Sequence, residues 1–140
     1  MATVTVISPV IGKPVEHKRV AAYCRVSSNS ADQENSYQAQ IRYFTRHIKA
    51  NRDWELVDIF ADEGISGTSA EKRDVFNRMI TMCELKQIDL ILTKSVSRFA
   101  RNVKETLEYV RKLKLLGVGV VFQKEGINTL SMGDEMLLNT

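Results

Sequence analysis

Residues 19–28 read RVAAYCRVSS. From Val20 to Cys24 apolar residues follow one another with no polar residue between them. A strand with one wet face alternates apolar and polar residues, whereas a strand covered on both faces does not. This stretch therefore predicts a central strand of a parallel sheet with helices on either side. The run then ends on Arg25, Ser27 and Ser28. In open parallel sheets, ligands bind just outside the carboxyl ends of the strands. A strand tip that turns from apolar to guanidinium and hydroxyl groups is the place to look for function.

Outward from that strand, helical and strand patterns alternate. In SYQAQIRYFTRHIKA (36–50), Tyr37, Ile41, Phe44 and Ile48 recur at the spacing of one helical face. Asn35 or Ser36 can cap its start. WELVDIF (54–60) reads as a second strand. DVFNRMITMCELK (74–86) is a helix with Val75, Phe76, Met79, Ile80 and Cys83 on one side. IDLILT (88–93) is a third strand. NVKETLEYVRKLKLLG (102–117) is a helix burying Val103, Leu107, Val110 and Leu113 and ending at Gly117. VGVVF (118–122) is a fourth strand. The order β-α-β-α-β-α-β predicts an α/β domain: a central, mainly parallel sheet of about four to five strands with helices on both faces, a three-layer, flavodoxin-like arrangement.

Residues 1–18 hold both prolines and read as an N-terminal arm, residues 19–130 as the domain, and residues 131–140 as the start of a further helix. A chain of 140 residues with 44% hydrophobic residues suffices for one buried core. The net charge of +3 permits an anionic partner without requiring one. Cys24 and Cys83 lack metal or disulfide spacing and read as buried reduced thiols. His17 and His47 neighbour no other ligand type, so neither a histidine triad nor a metal site is expected. No signal peptide and no membrane-length apolar run is present, so a cytoplasmic protein without membrane contact is expected.

The strand ends gather the polar groups. Arg25 and Ser27 follow the first strand, Asp62, Glu63 and GISGTS (64–69) the second, Lys94, Ser97, Arg98 and Arg101 the third, and Gln123, Lys124 and Glu125 the fourth. If SRFARN (97–102) is helical, Arg98 and Arg101 point the same way. With Arg25, and with Arg73 from EKRDVF, they form a guanidinium cluster suited to phosphate oxygens. Arginines stay protonated, so their chemistry is the stabilisation of charge, not proton abstraction. Ser27 is the candidate nucleophile, with Gln40, Asp62 or Ser66 as polar assistance. The alternative is a phosphate- or nucleotide-binding α/β module that breaks no bond.

These residues resemble the catalytic domain of the serine recombinases: resolvases, DNA invertases, and the large serine integrases and transposases. YCRVSS is similar to the family's opening Y-x-R-V-S. SYQAQ is similar to S-L-x-x-Q, FADEGISGTSAEKRDVF (60–76) to F-x-D-x-x-x-S-G followed by R-P-x-F, and DLILTKSVSRFARN (89–102) to the segment ending in [DS]-R-[FL]-x-R. The resemblance implies a resolvase-like domain that cleaves and rejoins DNA. It implies that Ser27 attacks a phosphodiester, forms a 5′-phosphoserine and releases a 3′-hydroxyl. It places Arg25, Arg73, Arg98 and Arg101 around the DNA phosphate, and Gln40 and Ser66 in support. Asp62 matches an acidic position near the site and Tyr23 a structural aromatic.

The family's chemistry needs no cofactor and no metal. Its partners are double-stranded DNA and further copies of itself, from dimer to tetramer. Its long dimerisation helix and DNA-reading region lie beyond the point where residue 140 falls, which makes residues 19–130 a catalytic domain. Ser97 stands where resolvases have aspartate, a mark of the large-serine branch. Asp74 stands where the family has proline, and Gln33 or Asn35 takes the place of a glutamine ahead of S-L-x-x-Q.

Overall fold

The computed structural model describes residues 17–27, 36–64, 73–100 and 102–130, with no description of the side chains of Ser27 and Gly64. Residues 1–16 of the expected arm, the start of a further helix at 131–140, and the candidates Ser66 and Arg101 lie outside the described residues, while Lys18, the last residue given to the arm, already opens a strand.

The elements run β1 (Lys18–Ser27), α1 (Tyr37–Lys49), β2 (Trp54–Gly64), α2 (Asp74–Glu84), β3 (Leu90–Thr93), α3 (Val96–Phe99), α4 (Val103–Leu115), β4 (Gly119–Phe122) and β5 (Ile127–Asn128). The sheet order is β2-β1-β3-β4-β5. β1 pairs in parallel with both β2 and β3, and β3 in parallel with β4. The short β5 returns antiparallel to β4, forming the far edge. The order reverses direction at β1, where the chain goes first to one side and then to the other. The carboxyl ends of β1 and β3 therefore flank a topological switch point, where α/β sheets leave a crevice.

β1 is buried on both faces, as its uniform apolar run requires. Val20, Ala22, Cys24 and Val26 join Phe44 and Ile48 of α1 in one core. Ala21 and Tyr23 join the other, with Phe76, Met79 and Cys83 of α2, Phe99 of α3, and Leu107, Val110 and Leu113 of α4. Phe76 is the hub of that second core. Its ring meets Tyr23 at 5.0 Å, Tyr109 at 4.9 Å and Phe99 at 5.3 Å, each edge-on. Such geometry adds about 0.5–1.5 kcal/mol per pair beyond the area buried.

The buried stripe of α1 differs from the expected one. Tyr37 is exposed and Ile41 only half-buried, whereas Gln40 is buried in line with Phe44 and Ile48. Val103 is likewise exposed on α4. Ser36 is the cap of α1, accepting from the Ala39 N–H at 3.2 Å. Gly117 ends α4 as expected, with φ +81°; its N–H donates to the Lys114 carbonyl and that of Val118 to the Leu113 carbonyl.

Candidate active site

β1 and β2 outrun β3. Tyr23 pairs with Thr93, the last residue of β3, but β1 continues through Cys24, Arg25, Val26 and Ser27 alongside Ala61 to Gly64 of β2. At about 3.3 Å per residue this overhang extends about 13 Å past the end of β3. The space beside it is filled by the turn Lys94–Ser95 and the single-turn helix α3. Arg25 bridges the two, donating from Nη2 to the Ser97 carbonyl at 3.4 Å. Arg25 and the Ser97–Arg98 turn thus converge on the rim, and the backbone of Ser27, paired with Gly64, ends the same strand.

The stretch SRFARN (97–102) is not helical throughout, and Arg101 lies outside the described residues. Helix α3 stops at Phe99, because Ala100 is fully extended at φ −146° and ψ 167°, and Asn102 opens a separate helix. Its side chain accepts from the Glu105 N–H at 2.8 Å. Arg98 instead lines a cavity of about 460 Å³ with Tyr43, Lys94, Ser95, Ser97, Gln123 and Lys124. Ser95 and Ser97 share a hydroxyl–hydroxyl bond of 3.1 Å, and the Tyr43 hydroxyl donates to Gln123 Oε1 at 3.2 Å.

Arg73 sits one helix away, at the start of α2. Its guanidinium donates to Glu105 Oε1 at 2.8 Å and to the Phe99 carbonyl, and it lies 3.8 Å over the Phe76 ring. It clamps the joint between α3 and α4. Glu105 had no place in the sequence reading, although Asn102 with an acid three residues on is a visible helix-start pattern.

Asp62 is likewise engaged. Its carboxylate accepts from the Tyr23 hydroxyl at 2.9 Å and from the N–H groups of Val75 at 3.1 Å and Phe76 at 2.9 Å. It supplies from β2 the cap that Arg73, at the N-cap position, does not provide. Burial, then the charge of Asp62 and its hydrogen bond, raise the Tyr23 phenol well above its ordinary value. Burial pushes the Cys24 thiol up to about 12, with the Lys94 charge acting in the opposite sense.

Gln40 is buried on α1, one turn before Phe44. The assembled groups offer hydrogen-bond donors and positive charge to an anion. Among the described residues no three His, Cys, Asp or Glu side chains cluster to hold a metal ion, and no helix is long and apolar enough to cross a membrane.

Residues 20–140 match the family described as "Resolvase, N terminal domain". The fold resembles the N-terminal catalytic domain of TP901-1 integrase, with a TM-score of 0.71 and 30% identity over 87% of this chain and 90% of that one. It also resembles a resolvase family site-specific recombinase from Streptococcus pneumoniae, with a TM-score of 0.70 and 28% identity over 86% of this chain and 82% of that one. The transposon Tn3 resolvase of Escherichia coli is 29% identical over 112 residues, 79% of this chain and 53% of that protein. The chain thus spans about half the length of the curated relatives it matches.

Proposed function

This chain belongs to the Resolvase N-terminal domain family, and from that membership we propose that it is the catalytic part of a serine site-specific recombinase acting on double-stranded DNA. The observation that carries the reading is the meeting of Arg25 with the Ser97–Arg98 turn at the switch point of the sheet, on the overhang that ends at Ser27.

In this mechanism the Ser27 Oγ attacks the phosphorus of a DNA phosphodiester. The new O–P bond replaces the bond to the 3′ oxygen, and the proton given up by the Ser27 hydroxyl balances the one this oxygen takes up to leave as a hydroxyl. The strand's 5′-phosphate remains esterified to Ser27, and the reverse attack by another 3′-hydroxyl rejoins it. Arg25, Arg98 and Arg101 neutralise the charge that grows on the non-bridging oxygens; one such donor is typically worth about 10²–10³ in rate. Arg73 joins them through the turn it clamps. Gln40 and Ser66 complete the supporting set. Ser97 in place of aspartate aligns the chain with the large-serine branch. Exchange between two duplexes needs several copies, so the working form is a dimer that becomes a tetramer. A protein working on DNA inside a cell is expected in the cytoplasm.

The test is a covalent trap. The chain is fused to a DNA-binding domain of known specificity and given a duplex nicked near the cleavage position, so that the cut strand diffuses away. Mass spectrometry should find a DNA adduct on Ser27 that is absent in Ser27→Ala and strongly reduced in Arg98→Ala. No adduct from a folded, DNA-bound fusion would overturn the reading.

A further inference from the structure

Among the described residues, three cations line the 460 Å³ cavity beside α3, namely Lys94, Arg98 and Lys124. Its size is within the range of about 300–1,000 Å³ typical of ligand sites. Among the described residues that line it, none is a carboxylate. The nearest acid in sequence, Glu125, has its Oε1 engaged with the Val96 N–H at 3.2 Å. Among the described residues, no carboxylate pairs with Lys94, Arg98 or Lys124. Elsewhere on the domain the pattern is different. Arg19 is matched by Asp89 at 3.0 Å and Lys112 by Glu84 at 2.8 Å.

The two lysines are held together by the sheet. Thr93 and Phe122 pair as the last residues of β3 and β4. The ladder then runs on, with the Gln123 N–H donating to the Thr93 carbonyl at 3.0 Å and the Lys124 N–H to the Lys94 carbonyl at 2.8 Å. Lys94 and Lys124 are therefore directly bonded neighbours through their backbones. Two like charges fixed side by side repel unless an anion lies between them. The Tyr43–Gln123 bond closes the side of the cavity toward α1. Lysine is a compact point charge on a long stem, suited to following a phosphate backbone without reading bases.

We infer that this cleft seats the stretch of DNA backbone next to the bond that is cut, with Lys94 and Lys124 as its phosphate contacts. The inference rests on the recombinase reading, since it is Arg98 at the shared edge that joins the cleft to the cleaving centre. Cleavage by the Ser27 side then proceeds on a strand anchored on its flank as well as at the reacting phosphate.

The test is the salt dependence of DNA binding by the full chain. Fluorescence anisotropy with a mixed-sequence 30-base-pair duplex, from 50 to 200 mM salt, gives the slope of log K against log salt. Each phosphate contact contributes about 0.9 to that slope. Lys94→Gln with Lys124→Gln should flatten it by about 1.8, while Lys94→Arg with Lys124→Arg should restore it. Lys86→Gln removes one positive charge from the turn before β3, at the opposite rim, and should leave the slope unchanged. All three positions of substitution are exposed side chains, and circular dichroism verifies that the variants fold.

An unchanged slope in the Lys94/Lys124 glutamine variant overturns the inference. So does a flattening of about 0.9 in Lys86→Gln, or no binding by the wild-type chain at 50 mM salt. The Ser27 trap separates the two readings. A normal adduct with an unchanged slope removes this inference alone. A flattened slope without any wild-type adduct removes the cleavage reading and leaves the phosphate contacts standing.

Discussion

The Arg73 guanidinium donates to Glu105 Oε1 across 2.8 Å, joining the start of α2 to the first turn of α4. The same group donates to the Phe99 carbonyl, at the point where α3 ends. Two acceptors in different directions require the planar fork, which an ammonium does not reproduce. Arg73→Lys should therefore lower stability by about 1–2 kcal/mol, and Glu105→Gln by about 1 kcal/mol, in urea unfolding. A group whose only task is to meet a DNA phosphate would leave unfolding of the free protein unchanged. Equal midpoints for wild type and Arg73→Lys would thus return Arg73 to a purely phosphate-binding role.

The Tyr23–Asp62 bond sets a pH limit on the alkaline side. Tyr23 has a raised phenol pKa because it is buried and faces a carboxylate. Its contribution is complete below the unfolded value of about 10 and is lost as pH rises beyond it, because the unfolded chain releases its proton first. The thiols act in the same direction from a lower starting point. Burial raises Cys24 and Cys83 from 9.0 to about 12. Stability should therefore be flat near pH 8, begin to fall near pH 9, and fall faster above pH 10. Tyr23→Phe should remove the steeper part above pH 10, at a cost of about 1 kcal/mol at neutral pH. A Tyr23→Phe profile parallel to wild type up to pH 11 would show that another group carries the loss.

At the other end of β1, Arg19 donates to Asp89 through Nε at 3.0 Å, through Nη2 at 3.1 Å and through its backbone N–H at 2.8 Å. The hydrogen bond to Arg19 holds the Asp89 carboxyl below its ordinary value. The stabilisation is present above the unfolded carboxylate value of about 3.9 and disappears as pH falls through the lower folded value. The pair is more than one-third exposed on the Arg19 side, so solvent screening keeps the gain small. Asp89→Asn should cost less than about 1 kcal/mol at pH 7 and less at pH 2. Thermal melts at the two pH values decide it, and an equal loss at both would assign the effect to the backbone contact.

The sequence carried the layers of this fold further than it carried the details of the site. Val20 to Cys24 revealed a doubly buried strand because burial on both faces removes alternation. Tyr37 was misread because a tyrosine at helical spacing counts as apolar, whereas the stripe that packs on the sheet is centred on Phe44 and Ile48 and takes in Gln40, four residues before Phe44. The arginines were legible as a cationic rim, since position after a strand is a topological property. Their partners were not. That Ala100 extends and ends α3 after Phe99 depends on how α4 docks, with Phe99 packed against Tyr109 and Phe122. No local propensity encodes that. Nor does spacing reveal that Arg73 meets an acid 32 residues away, or that β3 and β4 continue their ladder into Lys94 and Lys124.

Two helices end in the same motif with different residues at its left-handed position. After α4, Gly117 at φ +81° gives its N–H to the Lys114 carbonyl, and Val118 gives its N–H to the Leu113 carbonyl. After α2, Lys86 at φ 63° gives its N–H to the Cys83 carbonyl, and Gln87 to the Met82 carbonyl. The bonds match, but a Cβ in this conformation costs about 1–2 kcal/mol. Glycine avoids that clash at some loss of chain entropy in the unfolded state. Lys86→Gly should then stabilise the domain by about 0.5–1 kcal/mol, and Gly117→Ala should destabilise it by about 1 kcal/mol. A Cβ on Gly117 meets no atom within 4 Å, so backbone strain alone accounts for the second effect. Urea midpoints moving in opposite directions would establish that both turns are governed by φ. A loss on Lys86→Gly would mean that the lysine side chain contributes more to the native turn than its strained backbone costs.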